Sequence, residues 1–138
     1  LKKDINLNNR LKFVKIRHWF DIAILDFQYG WLPINIKSTT TITADNTGNL
    51  AMCLYALTNI EMSLDISYQN GDMSQKLLKS FKNKNYNTYN KKDYYFVIIN
   101  KYNTNEIIIN FFKGLNIITP NINNLPFQIK WANNKNFV

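Results

Sequence analysis

The chain has 138 residues, a formal net charge of +8, one cysteine and one histidine. This length suits a single domain over residues 1–138, and the composition excludes an internal disulfide, a zinc-cysteine cluster and a multi-histidine metal site. A chain this basic favours anionic partners, nucleic acid first, although a solvated basic surface is the alternative. No apolar stretch is long enough for a membrane span and no secretory signal pattern opens the chain, so a cytoplasmic protein with no membrane partner is expected. The absence of an initiator methionine at Leu1 suggests a trimmed N-terminus or a fragment.

The first elements are predicted to be short. Residues 1–10 are polar and favour a short helix or a disordered lead. Residues 11–17 alternate in a way that predicts a half-buried strand. Its basic side chains Lys15 and Arg17 would flank a site and contact DNA. His18 follows, and we interpret it as a structural or DNA-backbone contact rather than a catalyst.

Two apolar runs, 19–25 and 31–38, flank the segment 26–30, which predicts a β-hairpin. The period of two along the second strand places Asn35 and Lys37 on one face. If the hairpin folds about Tyr29, Asp21 lies opposite Lys37 and one pair along from Asn35, on that same face. A carboxylate, an amide and an ammonium are therefore predicted to converge.

Asp21 followed after a hairpin by Asn35-Ile36-Lys37 resembles the PD-(D/E)xK nuclease core of type II restriction endonucleases and related DNA-cleaving enzymes. The match covers about the first third of the chain. The resemblance implies a Mg²⁺-dependent endonuclease, with Mn²⁺ as a substitute, that cuts double-stranded DNA as a homodimer. It also implies that Asp21 is the first metal ligand, that Asn35 occupies the place of the second, that the backbone carbonyl of Ile36 is a third, and that Lys37 is the catalytic lysine.

The sequence departs from the family pattern at two positions. Phe20 stands where the family often has proline, and Asn35 stands where it has aspartate or glutamate. An amide oxygen can coordinate Mg²⁺ but brings no charge, so a site with one carboxylate should bind the ion weakly. Asn35 is then a natural variant compensated by another carboxylate such as Glu61 or Asp45, a degenerate site in a protein that only binds, or a deliberate substitution that freezes a DNA complex.

Two functions from different classes follow from these observations. The first is a restriction-type DNA endonuclease, inactive as written if Asn35 disables it. The second is a non-catalytic basic module that binds nucleic acid or has a structural role, with a nuclease-like fold.

A run of hydroxyl side chains follows Lys37. Thr39 and Thr40 can each meet a phosphate oxygen of DNA, or can simply continue the strand as β-branched residues. Residues 43–49 are predicted to form a loop. Helical spacing of apolar residues then predicts an amphipathic helix over 49–57 that packs on the sheet, with Cys53 as a small core residue.

The second half of the chain mixes helix and strand patterns. Residues 60–67 alternate and predict a peripheral strand, while Asp72 is expected to cap a helix over 73–81. Residues 79–92 predict a loop whose Lys84, Lys91 and Lys92 are candidates for phosphate contacts, with a solvated surface as the alternative.

Three further strands are predicted near the C-terminus. They are a central strand over 94–99 covered on both faces, a strand over 106–112, and a short one over 127–131. The expected fold is therefore α/β or α+β, with a mixed central sheet flanked by few helices, and the restriction-endonuclease-like core implies the same.

Overall fold

The computed structural model describes residues 9–15, 18–46, 50–58, 60–67, 72, 74–76, 79, 91–116, 119–120 and 127–135. Its main element is a five-stranded sheet. In spatial order the strands are β1 (Leu11–Phe13), β2 (Ile22–Asp26), β3 (Gly30–Thr39), β5 (Tyr95–Asn100) and β6 (Ile107–Phe111). A second, small sheet consists of β4 (Asp45–Asn46), β8 (Phe127–Ile129) and β7 (Thr119–Pro120).

The large sheet is mixed. β1, β2 and β3 form an antiparallel meander, β3 pairs with β5 in parallel, and β5 pairs with β6 in antiparallel fashion. A parallel pair needs a crossover connection, and here that connection contains the helix α1 (Leu50–Leu57). The predicted class, a mixed α+β fold with few helices among the described residues, is confirmed.

One face of the sheet is covered by α1 and by residues from the end of the chain. Seven of the eight residues of α1 are buried, so the helix is apolar almost all round rather than on one stripe. Phe96 and Ile98 of β5 are fully buried on this face, and the Phe96 ring lies 4.7 Å from the ring of Trp131. Cys53 is also a core residue, as predicted, and burial raises the pKa of its thiol to about 12.

The opposite face of the sheet is much more open. Tyr95, Val97 and Ile99 are only partly buried, and Ile107 and Ile109 on the neighbouring strand are 55% and 50% exposed. The strand over 95–100 is an inner strand of the sheet, between β3 and β6, but the prediction that both of its faces are covered is wrong. Its run of apolar side chains is the same on both faces, so the pattern could not distinguish them.

Other predicted elements differ in type or extent. The described residues 60–67 form a turn with irregular segments and no strand, and Ile66 is 52% exposed. Residues 72, 74–76 and 79 are helical, whereas most of the predicted loop, residues 80–90, lies outside the described residues. The last predicted strand ends at Ile129, after which Trp131–Asn133 form a 3₁₀ turn. Among the helices that the structure describes, none is long and apolar enough to cross a membrane.

Asp93 ties the start of β5 to the turn that follows β6. Its Oδ1 accepts the backbone N–H of Tyr94 at 2.8 Å, and its Oδ2 accepts the backbone N–H of Lys113 at 3.3 Å. Burial raises the pKa of this carboxyl to about 6, although these hydrogen bonds and the Lys113 charge act in the opposite direction.

Asp93 is expected to make the free energy of unfolding decrease as the pH rises from about 4 to about 6. In that window the folded protein still holds a proton on Asp93 that the unfolded chain has released. The change is at most about 3 kcal/mol. Urea unfolding of the parent and of Asp93→Asn at a series of pH values measures it, because Asp93→Asn should remove this slope. Parallel pH profiles for the two proteins would show that Asp93 does not titrate in this way.

Candidate functional site

The turn between β2 and β3 is organised by Asp26. Its Oδ1 accepts the backbone N–H of Gln28 and of Tyr29, each at 2.8 Å, which is a common way for aspartate to stabilise a turn. Gly30 completes the turn with a φ of 76°, in the left-handed region that glycine adopts without strain. Because Asp26 pairs with Gly30, the hairpin is centred on Gln28 and not on Tyr29 as predicted.

Because the centre of the hairpin is shifted by one residue, the residue of β3 that faces Asp21 changes by two positions. Ile22 pairs with Ile34, and the N–H of Asp21 donates to the carbonyl of Ile34 at 2.9 Å. Asp21 therefore lies beside Asn35, and its predicted position opposite Lys37 is wrong. The physical reason is that the hydrogen bonds of Asp26 fix the centre of the turn, which the alternation of apolar residues does not predict.

The Asp21 carboxylate binds two donors of β3. Its Oδ2 accepts the backbone N–H of Ile36 at 2.6 Å and the side-chain Nδ2 of Asn35 at 3.2 Å. The pairing of β2 with β3 ends at Ile22 and Ile34, so the carboxylate provides the Ile36 N–H with an acceptor on the side where β2 has no residue that pairs with Ile36. These hydrogen bonds give Asp21 a structural role at the strand end. Because the side chain is exposed, it also has access to solvent.

The oxygen of the Asn35 amide is in an unusual environment. Asn35 Oδ1 is buried and has no hydrogen-bond partner among the described residues. A buried acceptor without a partner typically costs about 1–3 kcal/mol, and most such atoms are paired. In the opposite amide orientation the oxygen would face the Asp21 carboxylate, and two such oxygens repel each other unless a cation or a proton lies between them. Asn35 therefore carries an unused acceptor next to a carboxylate.

Lys37 is held in place by the loop that follows β3. Its Nζ lies 3.2 Å from Oδ2 of Asp45 and also donates to the backbone carbonyl of Asn46. An ammonium has three N–H donors, so these two contacts leave one for a water molecule or a phosphate oxygen. The Lys37 side chain is 22% exposed, which restricts its movement but leaves it accessible.

Asp45 is itself fixed from the far end of the chain. Trp131 Nε1 donates to Asp45 Oδ2 at 2.9 Å, and Trp131 is fully buried. Asp45 also pairs with Ile129 across the small sheet. Between β3 and β4 the chain passes through Thr41, a buried residue with a φ of 67° that few β-branched residues adopt. This turn returns the chain so that Asp45 lies beside Lys37.

The two carboxylates that could compensate for Asn35 are now distinguished. Asp45 contacts the site lysine directly. Glu61 instead forms an exposed ion pair with Lys92 at 2.9 Å. Asp45 is therefore the carboxylate that belongs to the cluster, although its Oδ2 is already shared between Lys37 and Trp131.

The oxygen ligands that a divalent cation could use are the carboxylate of Asp21, the carbonyl of Ile36 and, in the opposite amide orientation, the amide oxygen of Asn35. In the part of the chain that the structure describes, no three side chains of the types His, Cys, Asp and Glu lie together as a metal site. Mg²⁺ usually keeps several waters and takes one or two carboxylates together with substrate phosphates. With one carboxylate, this donor set would hold Mg²⁺ only weakly.

The predicted DNA contacts are distributed over three separate places. They are Lys15 and His18 in a cleft of about 530 Å³ beside β1, Thr39 and Thr40 at the end of β3, and Lys91 and Lys92 in a second cleft of about 390 Å³. Arg17 and Lys84 lie outside the described residues. The structure therefore does not bring the predicted DNA contacts into one cluster.

Besides Lys92, which is paired with Glu61, two of these residues have internal partners that support a structural role. His18 Nε2 lies 2.8 Å from the carbonyl of Leu64, and its ring packs edge-on against Phe20 at 4.6 Å. The hydroxyl of Thr40 lies 2.6 Å from the hydroxyl of Thr43. Lys15, by contrast, is exposed.

Sequence reasoning missed Trp131 and the carbonyl of Asn46 as parts of the site. Trp131 and Asp45 are 86 residues apart in the chain, so no local pattern connects them. The geometry alone identifies them. Comparison with known proteins adds no family to this description: no protein-family model matches the chain, and no curated protein or solved structure is significantly similar to it.

Proposed function

We propose that this protein is a Mg²⁺-dependent DNA endonuclease with a core of the PD-(D/E)xK type. The observation that carries the proposal is the cluster on β3, in which Asp21 contacts Asn35 while Lys37, two residues further on, is anchored by Asp45. Phosphodiester hydrolysis needs oxygen ligands that hold a metal ion near the phosphate and a cation that stabilises the attacking hydroxide or the developing charge. This cluster contains both kinds of group.

The order of elements supports the same proposal. An antiparallel β1-β2-β3 meander is followed by a helix and by a strand parallel to β3, which is compatible with a restriction-endonuclease-like sheet. Asp21 directly precedes the second strand, and the other two residues lie on the third. The net charge of +8 favours association with DNA, because phosphate contacts release counterions.

Each residue then has a defined task. Asp21 and the oxygen of Asn35 would hold Mg²⁺, with the carbonyl of Ile36 as a further ligand. When bound, the ion would supply Lewis acidity and lower the pKa of a coordinated water. Lys37 would donate its remaining N–H to the attacking water or to a phosphate oxygen. Asp45 is a positioning residue, since it holds the Lys37 ammonium and is itself held by Trp131.

The neutral Asn35 sets the expected conditions for activity. One carboxylate holds Mg²⁺ weakly, so DNA phosphates must complete the site and millimolar metal is needed. Mn²⁺, which accepts nitrogen and oxygen ligands more readily, should support the reaction at lower concentration. A homodimer would place two such sites across a duplex.

Cleavage of supercoiled plasmid in Mg²⁺ or Mn²⁺ tests the proposal. Asp21→Asn should reduce the rate by at least about 100-fold, because the site loses its charged ligand. Glu106→Gln is the matched control, since it removes one carboxylate at the turn between β5 and β6 and should cut at the parent rate. Circular dichroism confirms that both variants fold.

Two outcomes would contradict the proposal. Equal loss of cleavage in Asp21→Asn and Glu106→Gln would show that the cluster has no special role. No cleavage by the parent in either metal, with DNA binding that persists in every variant, would instead support the non-catalytic binding module.

A further inference from the structure

A second cleft lies at the start of β5. Its volume is about 390 Å³, within the range of about 300–1,000 Å³ that is typical of small-molecule sites. Three lysines line it, namely Lys91, Lys92 and Lys113. Among the described residues of its lining they are accompanied by one carboxylate, Asp93.

This cleft is separate from the Asp21 cluster. Tyr95 and Phe111 line it, and they are paired neighbours on the open face of the sheet. Asn35 pairs instead with Phe96, which points to the face covered by α1. Because successive residues of a strand point to opposite faces, a ligand of the cleft lies across the sheet from Asn35 and Lys37.

The charges around the cleft favour an anion. Lys91 is exposed. The Lys92 ammonium forms an ion pair with Glu61, a side chain that is 89% exposed, and lies 5.9 Å from the centre of the Tyr55 ring. Such surface pairs contribute little, so both ammonium groups can turn toward a bound anion. Lys113 lies deeper, where its Nζ donates to the carbonyl of Lys92 at 2.6 Å.

Besides Glu61, which is paired with Lys92, two carboxylates lie near the cleft, and both accept backbone N–H groups. Asp93 accepts the N–H groups of Tyr94 and Lys113, and Asp26, whose charge reaches Tyr95, accepts those of the hairpin turn. Three lysines against one lining carboxylate leave the cleft with a net charge of +2. An anionic ligand is therefore favoured over a cation.

The other wall of the cleft is aromatic. The rings of Tyr95 and Phe111 lie 6.1 Å apart and are tilted by 48° to each other. Phe111 is 36% exposed, and Tyr29, at 54% exposed, lies at the mouth of the cleft. Exposed aromatic rings of this kind stack on nucleobases without strong sequence preference.

We propose that this cleft binds a nucleoside monophosphate, either free or as the unpaired 5′-phosphorylated end of a nucleic-acid strand. The phosphate lies on the three lysines and the base stacks on Tyr95 and Phe111. The ligand combines an anion, which the lysines favour, with a flat aromatic group, which the two rings favour. The site does not require the Asp21 cluster to be catalytic.

Isothermal titration calorimetry in EDTA tests this site with four probes: thymidine 5′-monophosphate, thymidine, inorganic phosphate and a 5′-phosphorylated decathymidylate. The monophosphate should bind at least about tenfold more tightly than thymidine or phosphate, since the binding free energies of the stacked base and of the charged contact add together. Lys91→Ala should weaken its binding about fivefold. Lys101→Ala removes the same charge from the turn after β5 and should have no effect.

The aromatic wall is tested in the same experiment. In Tyr95→Leu the monophosphate should bind no more tightly than inorganic phosphate, while the affinity for phosphate should remain that of the parent. Tighter binding of the decathymidylate than of the monophosphate would identify a strand end as the ligand, whereas binding of the monophosphate alone would identify a free nucleotide. Either result supports the site.

Three results would overturn the inference. They are no saturable binding of the monophosphate up to about 10 mM, equal weakening by Lys91→Ala and Lys101→Ala, and loss of binding in Asp21→Asn. The last result would place the ligand in the other cluster. Because metal is absent from the titration, failure of the nucleotide site and failure of the nuclease proposal are separate outcomes.

Discussion

Ile108→Asp is expected to lower the free energy of unfolding by about 3–5 kcal/mol, whereas Ile109→Asp, the same substitution one residue later, should lower it by about 1 kcal/mol. Ile108 is 2% exposed and belongs to the core under α1, while Ile109 is 50% exposed on the open face. An unpaired charge in the core costs about 3–5 kcal/mol, a large part of a typical stability of about 5–15 kcal/mol. On the open face the cost is about 1 kcal/mol, because there it comes only from the low preference of aspartate for strands.

Urea unfolding followed by circular dichroism measures both variants. Ile108→Val serves as a conservative control, for which a loss of about 0.5–1.5 kcal/mol is expected. The same contrast applies to β5, where Val97→Asp should be tolerated because Val97 lies on the open face. If Ile109→Asp destabilises the fold as much as Ile108→Asp, then both faces of the sheet are covered, as the sequence pattern alone had suggested.

Asn35→Asp is expected to make stability depend on a divalent cation. In the parent, Asn35 Nδ2 donates to Asp21 Oδ2 at 3.2 Å, and the substitution replaces that donor with a second anionic oxygen. Repulsion should cost on the order of 1–2 kcal/mol in EDTA. Mg²⁺ or Mn²⁺ shared by two carboxylates should bind more tightly than in the parent, and at 100 times its Kd it stabilises the fold by about 2.7 kcal/mol.

Thermal unfolding with and without Mn²⁺ measures this response without reference to activity. Asn103→Asp adds the same charge at an exposed turn and should show no added cation effect. A cation that stabilises Asn35→Asp no more than Asn103→Asp would show that Asn35 does not occupy a ligand position.

Cleavage should increase together with metal binding in Asn35→Asp. In that background Lys37→Ala should lower the cleavage rate by about 10²–10³-fold while the stabilisation by Mn²⁺ persists. The reason is that the ammonium acts on water and phosphate and does not bind the ion. Loss of both properties in Lys37→Ala would show that the lysine instead maintains the site structure through Asp45.

Local pattern was sufficient for much of the fold. The hairpin, the helix over 50–57 and the strands over 95–100 and 107–111 were predicted to within a few residues, because each is defined by apolar residues at its own period. The same period placed Asn35 and Lys37 on one face of β3, as observed. The alternation over 60–67 failed as a strand prediction, since a strand also needs a neighbour that completes its hydrogen bonds.

The sequence by itself determined which residue types are available at the site: one carboxylate before β2, and an amide and an ammonium two residues apart on β3. Only the tertiary structure decided how they meet. The Asp26 turn brings Asp21 to Asn35, and Trp131 holds Asp45 against Lys37 across 86 residues of chain. Which face of the sheet is covered was also decided by the tertiary structure. α1 and Trp131 pack on one face, whereas the apolar run of β5 presents similar side chains to both faces. These are contacts between distant segments, and a pattern of neighbouring residues carries no information about them.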